Sequence, residues 1–171
     1  VATAQPLATQ AGIAMLMRGG NAVDAALATA ITLTVVEPCS NGIGSDLFAI
    51  LWDGNELVGL NASGRAPAAW NRARFASYQQ MPQRGWETVT IPGAVSGWVA
   101  LSKRYGKLPF GDLFEPAIRY ARDGYAVSPI VAQKWRLAAP LMPQGLGWQD
   151  HFLIDGHVPQ AGERFRSQAM A

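Results

Sequence analysis

The sequence predicts an α+β fold, and three observations carry that reading: a nearly all-apolar helical stretch over residues 21–36, a hairpin pattern over 47–60, and further helical stretches beyond Ala94. Ahead of the first of these, Leu7, Ala11, Ala14 and Met15 recur at helical spacing over 6–18, and Gly19-Gly20 closes that segment. Asn21 then caps the next helix, with Asp24 three residues on in the place of a reciprocal capping-box acid. A helix with so little polar surface must be enclosed on nearly every side, which holds the loop after it near the core. Ala22, Ala25, Ala26, Ala28 and Ala30 allow close backbone approach, while Val23, Leu27, Ile31, Leu33 and Val35 supply bulk.

Pro38 ends the helix, and Asn41-Gly42-Ile43-Gly44-Ser45 supplies turn-compatible residues. Residues 47–52 read as a strand, Asp53-Gly54-Asn55 as a turn and 56–60 as the partner strand. The first strand lacks clean alternation, which predicts cover on both faces. Residues 61–84 are richer in polar residues and breaks, and wrap the surface with one helical turn around 71–78. A short strand is expected over 87–91, stopped by Pro92-Gly93. Helices follow over 94–105, with Val95, Trp98, Val99 and Leu101 on one face, and over 111–123, with Leu113, Ala117, Ile118 and Ala121 inward. Ser128-Pro129 starts another, running toward Leu137. After Pro140 the pattern weakens: Pro143, Gly145, Gly147, Gly156, Pro159 and Gly162 punctuate a mostly irregular tail, of the sort that serves a site or wraps a missing partner.

The 171 residues, 49% of them hydrophobic, are enough for one ordinary domain with its own core. Fourteen Lys and Arg against 12 Asp and Glu give a formal charge of +2, scattered along the chain, which offers no electrostatic case for nucleic acid. The apolar helix is shorter than the about 20 residues a membrane span needs and carries Asp24, so it is read as a core helix. One cysteine, Cys39, excludes an internal disulfide and leaves the compartment undecided between cytoplasm and periplasm.

His151 and His157, six residues apart with no cysteine nearby, do not form a metal pair, and no metal or organic cofactor is indicated. Ser40 and Ser45 flank the glycine-rich turn outside any GxSxG pattern. The run NGIGSD lies between a helix and a strand, the reverse of a nucleotide-binding context, and lacks the Lys-Ser/Thr of a P-loop. It is read as a structural turn or as a loop bordering an acyl substrate or oxyanion, with Gly44, Ser45 and Asp46 as the residues concerned. Asp46 either caps the loop's own N–H groups or meets substrate. Ser63 offers a hydroxyl and Arg65 a fork suited to a carboxylate, the competing reading of Arg65 being a surface tether. Glu115 and Arg119 stand at ion-pair spacing on a solvated helix side. Taken alone, these residues assemble no nucleophile–base pair.

The stretches VATAQPLATQAGIAMLMRGGNAVDAALATAITLTVVEP, NGIGSDLFAIL, Ala66-Pro67 and IPGAVSGWVALSKRYGKLPFGDLFEPAIRYARDGYAVS, in that order, resemble the large-subunit portion of the gamma-glutamyltranspeptidase family of N-terminal-nucleophile hydrolases. The resemblance implies a share of a four-layer αββα sandwich, with 1–171 a single domain incomplete without a small subunit cut from the same precursor. It also implies an acyl-threonine mechanism whose nucleophile belongs to the small subunit, so no catalytic residue is assigned to this chain. Where the family has a glycine run entering the strand, this chain has Gly44, Ser45 and Asp46, and where it has a substrate-gripping arginine, three residues before the Ala-Pro pair, it has Ser63. Arg65 lies two residues on, about 6.6 Å along an extended chain. The implied substrate is a gamma-glutamyl or other acyl amide; the departure at Ser63 counts against strict gamma-glutamyl specificity, and an acylase of the cephalosporin type or an inert scaffold are the alternatives. Strands normally shared with the small subunit would leave the chain bound to that partner or in a homo-oligomer.

Overall fold

The computed structural model describes residues 1–142 and 147–171, so Pro143 and Gly145 of the expected irregular tail lie outside the described residues. The chain forms two compact units, residues 1–42 with 101–171, and residues 43–100.

In the first unit, α1 (Pro6–Met17) and α2 (Ala22–Val36) form an antiparallel-reading helix pair joined by Gly19-Gly20. Gln5 caps α1, its side chain accepting from the Leu7 N–H at 2.5 Å. The predicted capping box of α2 is present: Asn21 Oδ1 accepts from the Val23 and Asp24 N–H groups, and Asp24 Oδ2 accepts from the Asn21 N–H at 2.8 Å. Close packing of the pair depends on Gly12, where a Cβ would overlap the Thr29 hydroxyl and stand 2.9 Å from the Ala25 carbonyl. Ala8, Ala11, Met15, Leu27, Ala28 and Ile31 fill the core, joined by Leu113, Ala117 and Ala121. Enclosure of α2 is less complete than its composition predicts, because Ala22 and Ala26 are exposed.

Asp24 does more than cap. Fully buried, it also accepts from the Lys107 N–H at 3.1 Å and the Leu108 N–H at 3.3 Å, which ties the start of α2 to the segment after the third helix. The predicted helix over 111–123 begins as a 3₁₀ turn, Phe110–Phe114, and becomes α-helical only at Glu115–Asp123 (which follows α3, Ala94–Tyr105, as α4). Ile118 there is exposed rather than inward. Glu115 pairs with Arg18 at 2.6 Å, and Asp112 with the same guanidinium at 2.8 Å, so the long-range cation displaces the expected Arg119 partner.

Among the described residues the tail beyond Pro140 is mostly irregular, as predicted, and is pinned by short regular pieces. Strand β3 (Tyr125–Ala126) pairs antiparallel with β4 (Arg164–Phe165), and between them lie α5 (Pro129–Ala138), capped by Ser128 as predicted, and the short α6 (Trp148–Phe152). Phe165 is buried against Trp135 at 4.8 Å between ring centroids and Tyr125 at 6.0 Å. Apolar aromatic area of this kind is what holds a turn-rich segment down. Tyr125 donates to the Val35 carbonyl at 2.8 Å, and burial pushes its phenol far above the ordinary range. Lys134 Nζ sits 2.6 Å from the buried Glu37 carboxylate and supplies its counter-charge.

The second unit is built on a hairpin: β1 (Leu47–Trp52) and β2 (Leu57–Ala62) pair in register from Leu47↔Ala62 to Trp52↔Leu57. The turn is fixed by Asp53 Oδ1, which accepts from the Asn55 and Glu56 N–H groups. One face of the hairpin meets the first turns of α3, where a Cβ on Gly97 would lie 2.5 Å from the Leu47 side chain. The other face is bare: Phe48, Ile50, Trp52 and Leu57 are 66%, 78%, 64% and 70% exposed. This corrects the expectation of cover on both faces of β1, since an apolar residue at every position records what a strand can bury, not what this chain lays over it. Residues 71–78 form a run of hydrogen-bonded turns in place of the helical turn expected there. The predicted strand over 87–91 is absent. Trp86–Thr88 instead closes a 3₁₀ turn in which Thr88 Oγ1 donates to the Gly85 carbonyl, and Ile91 makes a single backbone bond.

Candidate functional site

Two segments of the second unit meet where β2 runs out and α3 begins. Asn61 Oδ1 accepts from the Ser63 N–H at 3.0 Å, turning the chain after the strand. Gly64 follows in the left-handed conformation, φ +72°, and the Ile91 N–H donates to the Arg65 carbonyl at 2.9 Å. The contact is backbone to backbone: a Cβ on Gly64 would overlap the Ile91 carbonyl oxygen, and one on Gly93 would overlap the Ala62 carbonyl and stand 2.7 Å from the Gly64 nitrogen. Ser45 O accepts from the Gly93 and Ala94 N–H groups at 3.2 and 2.8 Å, satisfying donors at the start of α3. Ser96 Oγ donates to the Gly93 carbonyl at 2.6 Å.

Between the segments opens a cleft of about 510 Å³ lined by residues 61–65, 91–93 and Ser96. Of the residues singled out in the sequence, Ser63 and Arg65 both line it. Ser45 stands behind the lining through its carbonyl bond to Gly93. Gly44 and Asp46 lie outside it, and a Cβ on Gly44 would meet nothing within 4 Å. The capping role expected of Asp46 is not realised: its carboxylate is exposed and makes no hydrogen bond among the described residues, the neighbouring peptide acting through its acceptor instead. Asn61, Gly64, Gly93 and Ser96 were not singled out as site residues, although Gly93 and Ser96 stand in the quoted IPGAVSGW run.

The remaining reactive side chains lie elsewhere. His157 Nε2 is 3.0 Å from Glu163 Oε1 at the surface, and His151 is exposed. The Gln160 N–H, and then His157, hold the Glu163 carboxyl below its usual range. Burial pushes the Cys39 thiol up, against thiolate formation at neutral pH. Among the described residues there is no group of three metal-ligating side chains, and no helix long and apolar enough to cross a membrane.

Residues 8–171 match the sequence model of gamma-glutamyltranspeptidase. The chain belongs to the gamma-glutamyltranspeptidase family. The glutathione hydrolase-like YwrD proenzyme of Bacillus subtilis (strain 168) is 35% identical over 96% of this chain and 32% of its own length. The cephalosporin acylase of Bacillus halodurans superposes with a TM-score of 0.89 at 47% identity, over 96% of this chain and 32% of that one. Helicobacter pylori gamma-glutamyltranspeptidase superposes with a TM-score of 0.91 at 31% identity, over 99% of this chain and 50% of that one. The chain therefore spans about a third of the length of the curated relatives it matches. Its α+β architecture is the large-subunit share of the αββα sandwich of the gamma-glutamyltranspeptidase family, and that family is one of enzymes.

Proposed function

We propose that this chain is the large-subunit part of an amide-processing acyltransferase or hydrolase, a single domain completed by a small subunit from the same precursor. The observation that carries the reading is the cleft holding Ser63 and Arg65 within a chain that matches the gamma-glutamyltranspeptidase family throughout residues 8–171. The small subunit supplies the threonine. Its Oγ adds to the amide carbonyl while its own amine takes the hydroxyl proton and passes it to the departing amine; water or a second amine then opens the acyl ester. This chain contributes one wall, with Ser63 and Arg65 toward the acyl group and Ser45 supporting the lining from behind through Gly93. A non-glutamyl acyl donor is favoured by Ser63 at the position where the resemblance places a clamping arginine, and by the 47% identity to a cephalosporin acylase.

The full precursor is expected to cut itself into two polypeptides and then to hydrolyse amides, while purified residues 1–171 are inert. Intact mass together with release of a chromogenic amine checks both. Amide turnover by residues 1–171 with no second polypeptide present would overturn the reading.

The bare hairpin face supports a partner laid over it. Expressed alone, residues 1–171 are expected to self-associate through Phe48, Ile50, Trp52 and Leu57, and Ile50→Asp to shift the population toward monomer in light scattering. A monodisperse monomer of the unsubstituted chain would count against a partner on that face.

A further inference from the structure

We propose that a groove in the first unit, between α5 and residues 158–161, binds the C-terminal end of an extended peptide, with Arg136 receiving its terminal carboxylate. The groove encloses about 470 Å³, a size that small ligands occupy. Pro129, Ala132, Gln133 and Arg136 stand at helical spacing and share one face of α5, and residues 158–161 supply the opposite wall. The surface between them is apolar at the two prolines, Ala132 and Val158. Its polar groups are the carboxamides of Gln133 and Gln160 and one guanidinium, so the lining holds a cation and no acid.

Both walls are held from behind by contacts that leave these groups free. Val131 and Trp135 bury the other side of α5, and Pro159 is fully buried. Glu163 fixes the loop wall: its Oε2 accepts from the Gln160 N–H at 2.9 Å, its Oε1 lies 3.0 Å from His157 Nε2, and its own N–H donates to the Gln160 carbonyl at 3.1 Å. The acid closest in sequence to the groove is thereby occupied. By contrast, the Arg136 guanidinium and both carboxamides make no hydrogen bond or ion pair among the described residues, and neither do the Val158 N–H and carbonyl or the Ala161 N–H.

Each unused group matches a part of one ligand. An irregular segment with spare backbone donors and acceptors can pair with a second extended chain, and a carboxamide donates and accepts as a peptide group does. A guanidinium fork takes a carboxylate through two parallel bonds. The end of a peptide carries backbone amides, apolar side chains and a carboxylate together. A simple carboxylic acid would engage Arg136 and leave the amide-matching groups idle.

Fluorescence anisotropy on the full-length protein tests the proposal with a fluorescein-labelled tetrapeptide, Gly-Ala-Val-Leu, and the same peptide as its C-terminal amide. The free acid is expected to bind at least about 10-fold more tightly, the ratio that a charge-assisted pair supplies. Arg136→Gln should weaken the acid by about that factor and leave the amide unchanged, so that the two converge. The side chain is exposed, and the melting temperature should hardly move. Arg136→Lys keeps the charge without the fork and should fall between. Equal affinity for acid and amide, binding of neither, or an acid affinity that Arg136→Gln does not change overturns the proposal. Displacement of the peptide by an equal concentration of hexanoate also overturns it, because a carboxylate with no peptide group would then suffice.

Discussion

Replacing Asp24 by alanine is expected to cost about 3–5 kcal/mol of stability, the range for removing one partner of a buried charged network. The side chain is fully buried and its two oxygens take N–H groups from Asn21, Lys107 and Leu108. Alanine strands all three donors. Water has little room to replace the carboxylate, because the surrounding backbone is already close: a Cβ on Gly106 would lie 3.0 Å from Asp24 Oδ1, and one on Gly20 3.1 Å from Oδ2. Asp24→Asn keeps the shape and one acceptor and should lose less. Urea unfolding of the full-length protein measures both, and an alanine variant within about 1 kcal/mol of the parent would contradict the role assigned to the carboxylate.

Gly64→Ala is expected to act on turnover more than on folding. A left-handed backbone costs a non-glycine residue roughly 1–2 kcal/mol, and here the added methyl also overlaps the Ile91 carbonyl, with Thr90 Oγ1 at 3.3 Å. The segments must part, which breaks the Ile91 N–H bond to Arg65 O and moves both Ser63 and Arg65. A displacement of about 1 Å in substrate-positioning groups can cost 100-fold, so kcat/KM of the processed enzyme should fall by about that factor. Gly44→Ala is the stability control: its φ is not left-handed and its Cβ meets nothing within 4 Å, so the melting temperature should hardly move. A Gly64→Ala enzyme with parental kcat/KM would show that the cleft does not touch substrate.

What could be read in advance follows the range over which each interaction acts. The capping box of α2 was legible because Asn21 and Asp24 are three residues apart, and the cap of α5 because Ser128 and Pro129 are adjacent. The second duty of Asp24, toward Lys107 and Leu108, spans more than 80 positions and leaves no local trace. Val89 and Ile91 resemble strand residues, but nothing in the window reveals that Ile91 has only the Arg65 carbonyl to pair with. In the cleft, Ser63 and Arg65 stood out through their chemistry. Gly93 acts through a backbone approach to Ala62 and Gly64, some 30 residues away, and a single sequence does not display that.

The β3–β4 pair has a further implication for how such a chain can vary. Tyr125↔Phe165 and Ala126↔Arg164 are continued by Val127 N–H to Glu163 O and Gly162 N–H to Val127 O, and Ser167 N–H reaches back to Ala121 O. The excursion that leaves at Val127 is thus buttoned shut at its base. Insertions or deletions beyond α5 could change its length without loosening the helices beneath, giving homologous proteins a place to diverge at little energetic penalty.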